Sequence, residues 1–530
     1  KAAMEEVEHM FNGEESSSEE DDSETDDDDV RYPLPARRMP VHDDENIGLQ
    51  PKQPQCDRRP LGATPQRVTG GSDEVEEARA PFQPLTPITE RTERTDSSRW
   101  TLDVPSEDAM PYGGLRAPPT SLAIPNPCSP ADPDIVSTLL SNLARPVTQL
   151  PGYVDEAHES HYLSMLRSRL DARSRRSSVG NGCDVQVADM QLSVYSRLGE
   201  GGFGSVFLAQ DMNESVPLAG EVTASYADVD QDDIDELERR QMLALKIESP
   251  PNPWEFYILD QLRHRLPDQL QASIVGARRF VSCANESLLL LEYASMGTLL
   301  ELVNHAAEAG VSSVLGQGGG VEEVLAMFFV NELCRIVQGM HEAGLIHGDL
   351  KIDNCMIRAD DVDEWTSTYA ADGSGGWAAK GVTLIDFGRA IDMCCYPPDQ
   401  RFLADWQPGA QDCVEMREMR PWTYQADYYG LASIAHCLLF GKYMDTTCYV
   451  NDDGLKTYKI QQSLRRYWQT DLWTRFFHLM LNSTHYPAAG PPLTELRAEM
   501  DAWLTAHSFH AGKNLKGLLK KVEIWALRRV

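Results

Sequence analysis

The stretch His347-Gly348-Asp349-Leu350-Lys351-Ile352-Asp353-Asn354 sets a carboxylate, an ammonium group and an amide in one short loop. A hydroxyl that attacks phosphorus must give up a proton, and Asp349 is of the type that accepts one. Lys351 stands two residues on, so in an extended loop it points the same way and can neutralise a phosphoryl group in transfer. Asn354 offers a neutral oxygen to Mg2+. The loop reads as base, charge clamp and metal ligand of a phosphoryl-transfer site. The alternative is a polar turn that holds the same residue types, and partners elsewhere in the chain decide between the two.

The first partner is Leu198-Gly199-Glu200-Gly201-Gly202-Phe203-Gly204-Ser205-Val206, which fits G-x-G-x-x-G-x-V without departure. Val194 and Tyr195 before it, and Val206 and Phe207 after it, favour strands. A dinucleotide-binding fingerprint would need a helix directly after the glycines and an acid about 20 residues on. Strand, glycines and strand instead predict a hairpin folded over the phosphates of ATP. There Gly199, Gly201, Gly202, Phe203 and Gly204 would bring backbone N–H groups close. Met242-Leu243-Ala244-Leu245-Lys246-Ile247 reads as a strand after an acidic insertion over 211–240. Ala244 is small enough to lie above an adenine ring, with Val206 sharing that ceiling, and Lys246 can reach the α- and β-phosphates. Ser249-Pro250-Pro251-Asn252-Pro253-Trp254-Glu255 opens a helix, with Asn252 as cap and Pro253 at the first helical position. Glu255 can either complete a capping box or pair with Lys246. The rest of the site favours the pair.

Further along, Leu288 to Leu291 is an apolar strand leading into a hinge at Glu292-Tyr293-Ala294, whose backbone would bind the adenine edge. Gly297-Thr298-Leu299-Leu300 starts a helix. A glycine-rich loop at 316–320 separates it from a long helix over about 322–342, with one face, Leu325, Phe329, Leu333, Ile336 and Met340, turned inward. Met356 would floor the adenine pocket. After an insertion at about 359–380, Val382-Thr383-Leu384-Ile385-Asp386-Phe387-Gly388 is an apolar strand ending in D-F-G, with Asp386 as the main Mg2+ ligand. Asp427 begins a central helix and would hold the backbone of the 347–354 loop. The remainder reads as amphipathic helices and polar loops. Together these stretches resemble the protein kinase pattern.

Composition sets the surroundings. Over 530 residues, 82 acidic against 48 basic side chains give a net charge of −34. That argues against nucleic acid as a direct partner, because its phosphates would be repelled, and suits basic protein partners. The 11 cysteines show no C-x-x-C pair and read as reduced thiols of an intracellular protein. No apolar run approaches the ~20 residues that span a bilayer, and no secretory signal is visible. The chain starts at Lys1 and reads as a piece of something longer. Residues 1–131 read as disordered. Glu14 to Asp29 is nearly all Ser, Asp and Glu, either a solvated tail or a docking site for a basic partner. Thr64-Pro65, Thr86-Pro87 and Ser129-Pro130 are minimal proline-directed phosphorylation sites, and Arg58-Arg59-Pro60-Leu61 fits a degradation-box pattern. Asp132-Pro133 caps a short helix striped by Ile135, Leu139, Leu140 and Leu143, expected to pack on the domain that follows. Arg173 to Ser177 is a basic cluster.

Local strings are similar to the BUB (budding uninhibited by benzimidazoles) family of mitotic checkpoint serine/threonine protein kinases. They are Asn252-Pro253-Trp254-Glu255-Phe256-Tyr257-Ile258, Ile346-His347-Gly348-Asp349, Ile391-Asp392-Met393, Cys413-Val414-Glu415-Met416 and Pro421-Trp422-Thr423-Tyr424-Gln425-Ala426-Asp427-Tyr428. The resemblance covers roughly 132–530. It implies an α+β bilobal kinase fold, with a small β-rich N-lobe and a large helical C-lobe, behind a disordered acidic segment. Residues 132–185 would be an extension that steadies the small lobe, and 186–530 the kinase domain. It also implies ATP and Mg2+ as cofactors and action in the nucleus at centromeres and kinetochores. The implied partners are the histone H2A tail as substrate, spindle checkpoint proteins and the family's WD-repeat protein, though no motif for the last is visible. The chain departs from generic kinases in two ways. Gly348 replaces the arginine that binds an activating phosphate, and no A-P-E follows the D-F-G. The competing reading is a kinase-fold scaffold without catalysis.

Overall fold

The computed structural model describes residues 124–174, 182–202, 204–213, 241–313, 319–486, 490–508 and 514–529. The acidic run, the Thr-Pro dipeptides, the degradation-box match, Phe203, most of the acidic insertion and part of the basic cluster lie outside them. The described chain starts at Ile124, ahead of the composition change at Ala131. Helix α1 (Pro133–Ser141) follows, with the Asp132 side chain accepting from the N–H of Asp134. Its stripe packs on the core through the buried Leu139.

The small lobe is a seven-stranded sheet ordered β1-β6-β7-β5-β4-β3-β2. The strands are β1 (Tyr153–Glu156), β2 (Cys183–Val187), β3 (Met190–Glu200), β4 (Gly204–Asp211), β5 (Met242–Glu248), β6 (Ala277–Cys283) and β7 (Ser287–Glu292). Two of these were not anticipated. β2 begins ahead of the expected domain start at 186; its buried Cys183, Val185 and Val187 alternate with the exposed Asp184 and Gln186. β1 comes from the extension and pairs in parallel with β6, Tyr153 opposite Phe280. The extension also supplies α2 (Tyr162–Ser174), so it holds a strand and a second helix as well as the expected one.

Period-two alternation sorts the sheet into two faces. Leu243, Leu245 and Ile247 of β5, Phe207 and Ala209 of β4, and Leu288 and Leu290 of β7 form one core under Leu166 of α2. Leu289 and Leu291 of β7 and Phe280 of β6 face the other way, against Phe256 of α3 (Trp254–Arg265), rings 5.4 Å apart. β7 is therefore apolar on both sides, as its unbroken leucines require. The same alternation turns Ala244 and Lys246 away from the first core.

One residue anchors the N-terminal end of α2. Glu286, 3% exposed, accepts from Ser160 Oγ and the N–H of Tyr162 at 2.6 Å each, and from the N–H of Leu163 at 3.2 Å. A carboxylate thus satisfies the open end of the helix. Glu286→Ala is expected to cost about 3 kcal/mol, since charged hydrogen bonds contribute ~1.5–3 kcal/mol each and their sum is never fully realised. A lower urea midpoint at unchanged slope checks it. No shift in the midpoint would mean α2 is held by its apolar face alone.

The large lobe is built on α4 (Leu299–Asn304), α5 (Glu323–Glu342), α6 (Gln425–Phe440), α7 (Thr470–Leu481), α8 (Leu493–His507) and α9 (Leu515–Leu527), with one-turn helices left unnumbered. Thr298 and Glu301 form a reciprocal capping box on α4. The expectation of a single inward face on α5 is corrected. Val324 to Cys334 are buried without interruption, because α6, α8 and the 359–380 insertion pack around the helix from different sides. The insertion's Tyr369 and Trp377 are buried and set their rings 6.2 and 6.0 Å from Phe328. Short pairs β8 (Leu345–Ile346) with β11 (Ile391–Asp392), and β9 (Cys355–Ala359) with β10 (Lys380–Leu384), frame the loop between the lobes. The C-terminal part also holds a hairpin, β12 (Thr446–Val450) with β13 (Lys456–Ile460), where only helices and loops were expected.

Candidate active site

Lys246 lies opposite Val206 in the β4–β5 register, and Ala244 lies opposite Leu291. Both side chains reach the cleft face through the alternation described above. Lys246 Nζ donates to Glu255 Oε2 at 2.6 Å and to Asp386 Oδ1 at 2.9 Å, with Glu248 at 3.5 Å. Of the two roles open to Glu255, the structure shows the ion pair. Its other oxygen accepts from the N–H of Phe387 at 3.0 Å, and the side chain is fully buried. The expected cap is displaced by one residue: Pro253 stands at the cap position and Trp254 is the first helical residue, while Asn252 Oδ1 accepts from the N–H of Trp254 at 3.2 Å.

The charge balance follows from burial. Lys246 holds the Asp386 carboxyl far below its ordinary range, against the burial that would raise it. Burial acts to lower the Lys246 ammonium, but Asp386, Glu255 and Glu248 outweigh it and hold it well above its ordinary value. Burial pushes the third member, the Glu255 carboxyl, above its ordinary value, against the pull of Lys246. Asp386 adopts φ +63°, a left-handed geometry uncommon for a non-glycine residue.

In the 347–354 loop, Asp349 Oδ2 receives Lys351 Nζ at 3.0 Å and Asn354 Nδ2 at 3.3 Å. Asn354 Nδ2 also donates to the Asp349 carbonyl at 2.9 Å. These bonds use the Asn354 amide nitrogen, so its oxygen is the atom that could take a cation. The Ile385 N–H donates to the Asn354 carbonyl at 3.1 Å, so the loop and the D-F-G strand are tied together. Asp427, fully buried, accepts from the N–H groups of His347 at 2.8 Å and Gly348 at 2.9 Å, and from His341 Nε2 at 2.9 Å. Burial alone would raise its carboxyl; the bonds and charges of His341 and His347 bring it below its ordinary value. The buried His347 ring lies 4.7 Å from Phe387, and its Nε2 donates to the Ile385 carbonyl at 3.2 Å.

The glycines divide by role. A Cβ on Gly204 would stand 2.1 Å from the Ile247 carbonyl oxygen, so the β4–β5 contact requires glycine there. A Cβ on Gly199 or Gly201 would meet nothing within 4 Å, so these positions leave open space over the cleft. Gly202 is exposed beside them. Across the cleft, Met356 of β9 bridges to Thr298, next to the Glu292–Tyr293 hinge, and is half-buried. The Glu292 carboxylate packs over Gly276.

Several contacts were missed by reading the chain. Arg167 of α2 donates from Nε to Ser205 Oγ at 3.0 Å and pairs with Glu200 at 3.0 Å, so the extension braces the glycine hairpin. Helix α3 is locked to the segment after D-F-G by Trp254 Nε1 to the Ala390 carbonyl at 2.7 Å. Tyr257 Oη to Asp392 at 2.8 Å and a two-pronged Arg265–Asp392 pair, 2.8 Å on each prong, complete the lock. The strings around Trp254 and Asp392 were visible as a resemblance; their pairing was not.

The residues suit a magnesium nucleotide. Asp386 and Asn354 supply oxygen donors, which a hard cation prefers. Among the described residues no three His, Cys, Asp or Glu side chains form a metal cluster. No helix among the described residues is long and apolar enough to cross a membrane.

Residues 192–482 match the protein kinase domain family. The chain is similar to the spindle assembly checkpoint serine/threonine-protein kinase bub1 of Schizosaccharomyces pombe, 38% identical, over 69% of this chain and 35% of that protein. It is similar to BUB1 of Saccharomyces cerevisiae at 33%, over 72% of this chain and 34% of that one. The mitotic checkpoint kinase BUB1 of Arabidopsis thaliana is 32% identical, over 64% and 58%. The chain spans about a third of the length of the two yeast relatives. The solved BubR1 kinase domain shares the fold, with a TM-score of 0.54 at 24% identity, over 75% of this chain and 99% of that domain.

Proposed function

Because this chain belongs to the protein kinase family, we propose that it is an active serine/threonine kinase of spindle assembly checkpoint signalling, working in the nucleus at centromeres and kinetochores. The observation that carries this reading is the bridge from Lys246 Nζ to both Glu255 and Asp386. Scaffolds with a kinase fold commonly lack the lysine, the base or the metal aspartate, and here Lys246, Asp349, Asn354 and Asp386 are all present. The names of the yeast and plant relatives supply the checkpoint setting.

The roles follow from the geometry. Asp349 accepts the proton of the acceptor hydroxyl through the carboxylate oxygen that Lys351 and Asn354 do not engage. Lys351 places a positive charge beside that carboxylate, where negative charge builds on the phosphoryl group. Lys246, fixed by Glu255, presents its ammonium to the phosphates below the glycine hairpin, and Val206, Ala244 and Met356 close on the adenine. Bound Mg2+, held by Asp386 and Asn354, would supply charge neutralisation of the β- and γ-phosphates. The substrate proposed is a basic tail, the histone H2A tail first, with checkpoint proteins, including a WD-repeat protein, as partners.

The test is transfer of radiolabel from ATP by the purified 530-residue chain to histone H2A and to a generic basic protein side by side. Strong labelling of H2A is expected, with little of the other protein. Equal labelling would refute the substrate, and none of either, with Mg2+ and ATP saturating, would favour the scaffold reading.

A further inference from the structure

The segment between D-F-G and helix α6 carries a clasp from the front of the described chain. The N–H of Cys128 donates to the Arg401 carbonyl at 3.2 Å, and the N–H of Leu403 donates to the Cys128 carbonyl at 2.9 Å. Asn126 adds two bonds, from Nδ2 to the Asp399 carbonyl at 3.1 Å and from the N–H of Arg401 to its Oδ1 at 2.9 Å. Gln400 is 1% exposed, and its Nε2 donates to the Pro125 carbonyl at 2.9 Å. Cys128 thus bridges Phe402 as a strand would, and Phe402 in turn bridges Trp422, both rings fully buried. Where Gly348 leaves no arginine to grip a phosphate, backbone pairing from residues 124–130 holds this segment instead.

Ser129-Pro130, a minimal proline-directed acceptor, sits in that clasp. The Ser129 hydroxyl is buried and has no hydrogen-bond partner. The native arrangement therefore makes no use of it, and a phosphate there would bring a dianion into a buried space where the hydroxyl has no partner. Asp132 and Asp134, three and five residues on, add repulsion. The N-terminus of α1 offers only the weak attraction of a helix end. We propose that Ser129 is a phosphorylation site for a proline-directed protein kinase, and that its phosphate expels residues 124–130 from the 399–403 segment and lowers this chain's own activity.

The step balances with ATP. The Ser129 oxygen forms a bond to the γ-phosphorus, the bond from that phosphorus to the β-bridging oxygen breaks, ADP leaves, and the hydroxyl proton passes to the modifying enzyme's base. The hydroxyl is reached when the clasp lifts, and the phosphate then blocks its return, a population shift set by the difference between the two states. The loss of activity rests on the function proposed above; the loosening of the segment does not.

The 530-residue chain is treated with a purified proline-directed kinase and ATP, repurified, and the modified sites are mapped by mass spectrometry, with Ser129→Ala treated alongside. Hydrogen exchange of the 399–403 amides is expected to speed up at least about tenfold, and transfer to H2A to fall by about tenfold. Treated Ser129→Ala is expected to match its untreated state in both. Unmodified Ser129, unchanged exchange after full modification, or a rise in transfer overturns the proposal. Faster exchange in a chain that shows no transfer before treatment sustains the site and refutes the catalytic reading instead.

Discussion

Asp386→Asn is expected to lower phosphoryl transfer by at least ~1000-fold while leaving the chain folded. Asparagine is close in shape and among the few residues that tolerate the left-handed backbone at this position, φ +63°. Its amide oxygen can still accept from Lys246, so the 2.9 Å contact has a substitute. What disappears is the charge. Asp386 is the carboxylate of the oxygen pair assigned to the metal, and a neutral oxygen cannot balance a divalent cation held against triphosphate. Lys246 keeps Glu255 as counter-ion, so no buried charge is stranded, and the thermal midpoint is expected to move by only a few degrees. Lys246→Arg is expected to fail as well, by roughly 100-fold. Its planar fork cannot take the place of a compact ammonium between Glu255 Oε2 and Asp386 Oδ1. Transfer at the unsubstituted rate in either variant, measured at saturating Mg2+ and ATP, would refute the site.

The parts of this site that could be read from the chain are those whose chemistry is local. Asp349, Lys351 and Asn354 share a loop, and their mutual bonds span no more than five residues. Lys246 was legible because a strand's alternation separates it from Leu245 and Ile247, whatever the rest of the fold does. The lock between Trp254, Tyr257, Arg265 and Ala390, Asp392 was not legible. Its bonds join residues more than 120 apart, and each residue alone looks like an ordinary helical or strand position. β1 carries no alternation of its own, because a short edge strand takes its register from β6. The insertion over 359–380 carries a usable signal in Trp365, Tyr369 and Trp377. Three aromatic rings in about 20 residues favour burial over a solvated excursion.

Gly348 is where reading and structure differ most in what they predict for a substitution. The sequence suggests a missing arginine, and on that view Gly348→Arg would restore a phosphate-binding position and Gly348→Ala would be neutral. The backbone says otherwise. Gly348 has φ +76°, and a Cβ there would stand 2.4 Å from the Arg389 carbonyl oxygen. That carbonyl is backbone, lying between the D-F-G and the Asp392 anchor of α3, so it cannot swing aside as a side chain could. Asp427 fixes the other side of the peptide by binding the N–H groups of His347 and Gly348. Any side chain must break one of these restraints, at a cost of about 1–3 kcal/mol for the left-handed backbone with the clash in addition. Gly348→Ala is therefore expected to cut transfer at least ~100-fold, because Asp349 is the next residue and ångström-scale misplacement of a base is enough for that loss. Gly348→Arg is expected to be worse, with no rescue by phosphorylation of the 389–422 segment. Full activity in the alanine variant would mean that the loop relaxes freely and that glycine at 348 marks only the absence of arginine.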